Sequence, residues 1–91
     1  MGQTEKRIVT IVNQRGLHAR AAAKFVKLAG EFDARVMVRN RGTEVSGVSI
    51  MGLMMLAAST GTDIEIEVSG SEGAKALGAL ADLVEAGFHE D

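Results

Sequence analysis

Residues 16–23 read GLHARAAA, and they place a histidine, His18, where a loop passes into a helix. Residues 8–12 are mostly β-branched and predict a strand before this stretch. After position 18 the spacing is helical, with no glycine or proline before Gly30. The pattern therefore predicts a strand, a polar loop and a helix over 19–30, with His18 at or next to the N-cap.

An imidazole at the start of a helix lies where anions are favoured. The first backbone N–H groups have no intrahelical acceptor, and the aligned peptide dipoles add partial positive charge. Arg20 adds a full positive charge two residues after His18. The same field disfavours a protonated ring and helps keep one ring nitrogen free at neutral pH. This arrangement is suited to accepting a phosphoryl group, although a histidine in this place can also serve only as a helix cap.

The string GLHAR followed by small residues, together with SIMGLMML at 49–56, resembles the HPr-type phosphocarrier proteins of the bacterial phosphotransferase system. The resemblance covers nearly all 91 residues. It implies that His18 carries the phosphoryl group on its δ nitrogen and that Arg20 assists. The backbone amides of Ala19, Arg20 and Ala21 are the expected donors to the phosphate.

Ala21 is the one departure from the family pattern, which usually has proline at this place. The whole chain contains no proline. Proline in the first helical turn pre-sets φ and lacks an N–H, so alanine should cost less than about 1 kcal/mol of preorganisation. We expect the restored Ala21 amide to act as an extra donor to the phosphate or to water.

The composition excludes several classes of function. A chain of 91 residues predicts a single domain over 1–91 with one modest core. The net charge of −2, with three phenylalanines and no tyrosine or tryptophan, argues against a nucleic-acid partner. The chain has no cysteine, and its two histidines lie far apart, so we expect no metal site and no other cofactor.

The chain also lacks the sequence features of membrane or exported proteins. No apolar run reaches the roughly eighteen residues of a membrane span. Residues 1–7 are largely polar and lead directly into the first strand, without the apolar segment of a secretory signal. We therefore expect a cytoplasmic protein that does not insert into membranes, and we expect it to be a monomer.

The rest of the chain alternates short strands and helices. Residues 34–40 and 43–46 predict a hairpin in which Val36 and Val38 face the core. Residues 64–68 read IEIEV and predict a strand whose glutamates point to water. The order strand, helix, strand, strand, helix, strand, helix predicts an α+β fold with three helices on one face of a four-stranded, mostly antiparallel sheet. The resemblance implies the same architecture, an open-faced β-sandwich.

The last helix should begin after the second polar turn and end near Gly87. Ser69 with Glu72 fits a capping box, and Ser71 is the other candidate cap. His89 follows in the polar tail, where it is interpreted as a titrating surface residue. The apolar residues of the helix share one stripe, which comprises Leu77, Leu80, Ala81, Val84 and Phe88.

The short helix that starts after the N-cap Ser49 and runs to about residue 57 has two apolar groups. One group contains Leu53, Leu56 and Ala57. The other contains Ile50, Met51, Met54, Met55 and Ala58. A short helix in a small domain seldom buries two apolar faces, so one group should be partly exposed. Exposed methionines suit the binding of several partners, and simple core filling is the alternative. The resemblance favours docking, because the corresponding helix lies beside the active histidine.

Two further features bear on partners. Arg20, Lys24 and Lys27 form a basic stripe on the exposed side of the first helix, which is either a solvated face or a docking surface for acidic partners. The resemblance places the corresponding residues at the partner interface. Ser49 matches the serine that an ATP-dependent HPr kinase/phosphorylase modifies in many family members. That role is compatible with N-capping, because a helix N-terminus accommodates phosphate.

The function expected from the sequence is a phosphoryl relay. His18 would accept the group from an enzyme I type protein, charged from phosphoenolpyruvate, and pass it to an EIIA-type acceptor. The chain would be a carrier and not a turnover enzyme. Residues 39–40 and 87–91 look like the nitrogen-related carriers, whereas 49–52 look like the kinase-regulated ones. The alternative is a small regulatory or ligand-binding α+β module in which His18 only caps a helix.

Overall fold

The computed structural model describes residues 4–90, so residues 1–3 and 91 of the predicted domain lie outside the described part. In chain order the elements are β1 (Glu5–Thr10), α1 (Ala19–Ala29), β2 (Arg35–Asn40), β3 (Thr43–Ser46), α2 (Ile50–Met55), β4 (Asp63–Ser69) and α3 (Gly73–Glu85). After α3 the chain makes a single left-handed turn at Gly87–His89.

The four strands form one antiparallel sheet in the order β1-β4-β2-β3. Helix α3 packs on β1 and β4, and α1 packs on both other helices. The inward residues of β2, Val36 and Val38, are buried as their alternation predicts. The predicted α+β open-faced sandwich with the order βαββαβα is confirmed. No helix in residues 4–90 is long and apolar enough to cross a bilayer.

Pairing with β4 decides which face of β1 is buried. The sequence left this open, because both faces of residues 8–12 are apolar. In the sheet Val9 lies opposite the buried Ile64, and Ile8 lies opposite Glu65 on the outer face. Ile8 is accordingly 64% exposed. Tertiary pairing, and not local pattern, therefore assigns the inner face.

The outer face of the sheet carries a charged cluster around Arg39. Its guanidinium pairs with Glu44, Glu65 and Glu67. The predicted outward direction of the β4 glutamates is correct, and they contact this arginine on the solvent side. The hydrogen bond to Glu67 is the largest cause that raises the pKa of Arg39. Ion pairs on a solvent-facing surface, even when partly buried as here, add little to the free energy of unfolding.

The predicted capping of α3 is wrong. Glu72 occupies the N-cap position, and no side chain caps the helix. Its carboxylate instead accepts a hydrogen bond from the Asp33 amide at 2.7 Å, and the Ser71 hydroxyl donates to the Asp33 carboxylate at 2.6 Å. These side chains tie the loop after α1 to the start of α3. A tertiary contact has therefore replaced the local cap.

The predicted faces of α2 are correct except at its end. Leu53 and Leu56 are buried, but Ala57 is exposed and Ala58 is buried, the reverse of the prediction. The helix ends at Met55, and Ala57 adopts a left-handed φ of 52°. Helical spacing therefore no longer applies at 57–58.

Gly16 holds the loop before His18 against the end of α2. Its φ is +65°, and an added Cβ would approach the Ser59 Cα to 2.9 Å as well as the Ala58 carbonyl oxygen. The next amide, that of Leu17, donates to that carbonyl at 2.9 Å. Only glycine permits this approach in a left-handed conformation.

We expect Gly16→Ala to lower the free energy of unfolding by more than Gly61→Ala does. Both substitutions force alanine into a left-handed conformation, at a cost of about 1–2 kcal/mol. Gly61, at φ +85°, has open space around its Cα, so only Gly16→Ala adds a backbone clash. Urea unfolding followed by far-ultraviolet circular dichroism measures both. Equal losses would contradict the role of the close approach.

Candidate functional site

His18 is the N-cap of α1. Its backbone is extended, with φ −78° and ψ 179°, and its carbonyl accepts the first helical hydrogen bond, from Ala22 at 2.8 Å. The ring nitrogen Nδ1 accepts a hydrogen bond from the Arg20 amide at 3.2 Å. The predicted start of the helix is therefore confirmed, and Nδ1 lies among the free amides of the first turn.

The other ring nitrogen, Nε2, contacts a side-chain oxygen of Glu90. A carboxylate can only accept, so Nε2 carries the ring proton and Nδ1 keeps its lone pair. The Arg20 amide favours the same tautomer, because it donates to Nδ1. Two independent contacts on opposite sides of the ring thus define its orientation and its protonated nitrogen.

Asn13 supports this arrangement from beneath. Its side chain is buried, and Nδ2 donates to the Gly16 carbonyl at 2.8 Å and to Glu90 Oε1 at 2.9 Å. The Asn13 hydrogen bond is the largest cause that lowers the pKa of Glu90. The hydrogen bond and charge of His18 and the charge of Lys24 act in the same direction, and partial desolvation opposes them. The carboxylate is therefore ionised at neutral pH.

Glu90 and Asn13 are site residues that the sequence did not predict. Glu90 is 72 positions from His18, and no local pattern connects the two. Asn13 could have been suspected, because it shares the alternating phase of the buried Val9 and Ile11. A polar residue that is buried next to a candidate site is an informative signal.

A polar cleft opens beside His18. Arg20 and Lys24 from the predicted basic stripe lie on it, and Arg15 and His89 join them. The Lys24 ammonium donates to the Phe88 carbonyl at 2.7 Å, so this lysine also holds the tail. The lining residues are Gln14, Arg15, Arg20, Lys24, His89 and Glu90.

The other predicted residues lie on the exposed faces of α1 and α2. Lys27 is exposed one turn after Lys24 on α1. The basic stripe therefore extends along α1 in the direction away from His18. Ser49 caps α2 through its hydroxyl, which accepts from the Gly52 amide at 2.9 Å. The exposed side chains of α2 form what we call the methionine surface, namely Ile50 (41% exposed), Met51 (75%), Met54 (43%) and Met55 (74%).

Helices α1 and α2, which carry the basic stripe and the methionine surface, pack against each other. The hydrogen bond from Leu17 to Ala58 joins the His18 loop to the segment that follows α2. Ala19 and Ala21 lie in the first turn of α1, the former exposed and the latter buried. In residues 4–90 no three histidine, aspartate or glutamate side chains converge as a metal site.

Comparison with known proteins identifies the class of this fold and site. The family model described as "PTS HPr component phosphorylation site" matches residues 5–86. The phosphocarrier protein HPr of Neisseria meningitidis is 48% identical over 85 residues, which cover 93% of this chain and 96% of the relative. The phosphocarrier protein NPr of Escherichia coli is 43% identical over 89 residues, covering 97% and 99%.

A solved structure agrees with these sequence matches. The HPr-C-His structure from Thermoanaerobacter tengcongensis superposes with a TM-score of 0.91 at 37% identity, covering 96% of this chain and 98% of that one. The chain therefore belongs to the HPr family of phosphocarrier proteins of the phosphotransferase system. Proteins of this family are phosphoryl carriers and not enzymes.

Proposed function

We propose that this chain takes a phosphoryl group from phosphorylated enzyme I, itself charged from phosphoenolpyruvate, and passes it to a histidine of an EIIA-type acceptor. The observation that carries the proposal is the hydrogen bond that Nδ1 of His18 accepts from the Arg20 amide at the N-terminus of α1. The proposal takes residues 1–91 as one domain that acts in the cytoplasm as a monomer, without metal or cofactor.

The transfer needs little from the protein besides position and charge. Nδ1 of His18 forms the new N–P bond as the donor's N–P bond breaks. The Arg20 amide, which donates to Nδ1 in the free protein, turns to a phosphoryl oxygen once that lone pair is used. The amides of Ala19 and Ala21 lie in the same first turn, and the Arg20 guanidinium adds charge. Ala21 supplies an N–H that proline would lack.

The proposed docking surface joins the basic stripe to the methionine surface. Arg20, Lys24 and Lys27 would attract acidic partners. The exposed apolar side chains of α2 would then pack against the same partners. Such attraction raises the rate of association and weakens as salt screens the charges. Transfer from enzyme I should therefore slow as ionic strength rises.

Transfer of label tests the relay. Label from phosphoenolpyruvate, supplied with purified enzyme I, should enter this protein as an acid-labile phosphoryl group and then move to EIIA. Nitrogen-related and sugar-related EIIA proteins, offered separately, show which branch the chain serves. The NPr relative and the tail point to the nitrogen branch, whereas the HPr relatives and residues 49–52 point to the kinase-regulated carriers. Failure of enzyme I to label the chain would contradict the proposal.

Ser49 is the proposed target of an HPr kinase/phosphorylase. Its side chain is half-buried at the start of α2, beside the exposed Ile50 and Met51. Phosphate would add a charge of about −2 there and repel acidic partners without unfolding the helix.

We expect Ser49→Ala to abolish labelling by a purified kinase with ATP and to lower the free energy of unfolding by about 1 kcal/mol, through loss of the cap. Ser46→Ala is the matched control. The Ser46 hydroxyl also accepts a local backbone hydrogen bond, from the Val48 amide at 3.2 Å. The Ser46→Ala substitution should nevertheless leave the labelling unchanged. Labelling that persists in Ser49→Ala would assign the modification elsewhere.

A further inference from the structure

The C-terminal tail folds back onto His18 through an unusual turn. Gly87, Phe88 and His89 all have positive φ, of 63°, 56° and 58°. For a bulky residue this conformation is strained and persists only where its surroundings hold it. Phe88 is fully buried, and Lys24 binds its carbonyl. The buried side chain and the bound carbonyl of Phe88 therefore fix the turn, which places Glu90 next to the His18 imidazole.

Both carboxylate oxygens of Glu90 have polar contacts. Asn13 donates to Oε1 at 2.9 Å, and His18 Nε2 contacts Oε2. Because Asn13 Nδ2 also donates to Gly16, the amide cannot flip without losing both bonds. The Glu90 side chain is 16% exposed and that of His18 is 22% exposed, so water screens this contact only in part.

We propose that Glu90 is a positioning residue for phosphoryl transfer: its carboxylate keeps the His18 proton on Nε2 and leaves the lone pair of Nδ1, at the start of α1, as the nucleophile. The inference rests on the proposed function and adds a residue to it. The carboxylate lies on the ring nitrogen opposite the reacting one, so it acts through His18 and does not touch the phosphoryl group. A carboxylate that holds an imidazole in this way fixes both its tautomer and its direction.

The step balances without another reactant. The Nδ1 lone pair forms the N–P bond while the N–P electron pair of the donor phosphohistidine returns to the donor ring. A donor ring that enters protonated on its other nitrogen leaves as neutral imidazole. The proton on Nε2 of His18 stays in place, and the positive charge gained by the ring faces the Glu90 carboxylate. Passing the group to the acceptor reverses these changes.

The test compares Glu90→Gln with Glu85→Gln. Glutamine keeps an oxygen for Asn13 but removes the charge that faces Nε2. Glu85 pairs with Arg7 on the surface, so its substitution makes the same chemical change away from His18. We expect Glu90→Gln to slow phosphoryl acceptance from enzyme I by about tenfold, the lower end of the loss seen when the hydrogen-bond partner of a metal-binding histidine is removed. Glu85→Gln should keep the wild-type rate.

Two readouts separate positioning from a merely structural role. Nitrogen-15 chemical shifts of the His18 ring at neutral pH should show protonated Nε2 in wild type and Glu85→Gln, and a mixture of tautomers in Glu90→Gln. Glu90→Asp, which restores the charge, should recover part of the rate. Wild-type rate and ring shifts in Glu90→Gln would overturn the inference. Absence of label in wild type would instead contradict the proposed function.

Discussion

We expect His18→Ala to take up no label from phosphoenolpyruvate and enzyme I under conditions in which the wild-type chain is fully labelled. In residues 4–90 only His18 places a ring nitrogen among the free amides at the start of α1. Alanine has no lone pair to form an N–P bond, so the loss should be complete and not partial. The measurement is the acid-labile label per mole of protein.

His89→Ala is the matched control. His89 is exposed and lines the same cleft as Arg20, but it lies in the tail turn and not at a helix start. It should still accept label, because His18 is intact. Label retained in His18→Ala and lost in His89→Ala would move the carrier site to the tail.

The stability of the variant must be measured as well, because His18 is also an N-cap. Losing the side chain removes the Arg20 hydrogen bond and should cost about 1 kcal/mol. Such a loss leaves a domain of this size folded. Retained far-ultraviolet circular dichroism would thus assign the missing label to chemistry. If the wild-type chain also accepted no label, a pure capping role for His18 would be the better explanation.

The second large effect is expected for Phe88→Ala, which should lower the free energy of unfolding by about 3–5 kcal/mol. Phe88 is fully buried in the core, and it anchors the turn that carries Glu90. Removing the ring leaves a cavity and retains a residue with a positive φ. Release of the tail should also loosen the contact between Glu90 and His18.

Phe32→Ala is the comparison, since Phe32 is only partly buried at the edge of the core. Phe32→Ala should lower the free energy of unfolding by clearly less than Phe88→Ala does. Urea unfolding followed by circular dichroism suits both variants, because the chain contains no tryptophan or tyrosine for fluorescence. Equal losses, or a Phe88→Ala loss below about 1 kcal/mol, would show that the tail is not part of the cooperative core.

Local patterns predicted the elements well where one physical preference was dominant. Strict alternation placed Val36 and Val38 inside, and the breaker-free run to Gly30 predicted α1, which ends at Ala29. The prediction failed where two preferences competed. Glu72 had a local capping role available but binds the Asp33 amide, since that tertiary contact satisfies the same carboxylate. The predicted helix continued to about residue 57, but the backbone is left-handed at Ala57, so helical spacing does not apply there.

The sequence by itself determined the imidazole at the helix start, the charge of Arg20 beside it and the amides that face an anion. These follow from neighbours along the chain, because a helix N-terminus exposes its amides in any tertiary setting. Only the tertiary structure placed a carboxylate at the other ring nitrogen, Nε2. That carboxylate belongs to Glu90, which a strained turn and a buried phenylalanine bring across 72 positions. Contacts over such separations come from packing of the whole core, which no short stretch of sequence encodes.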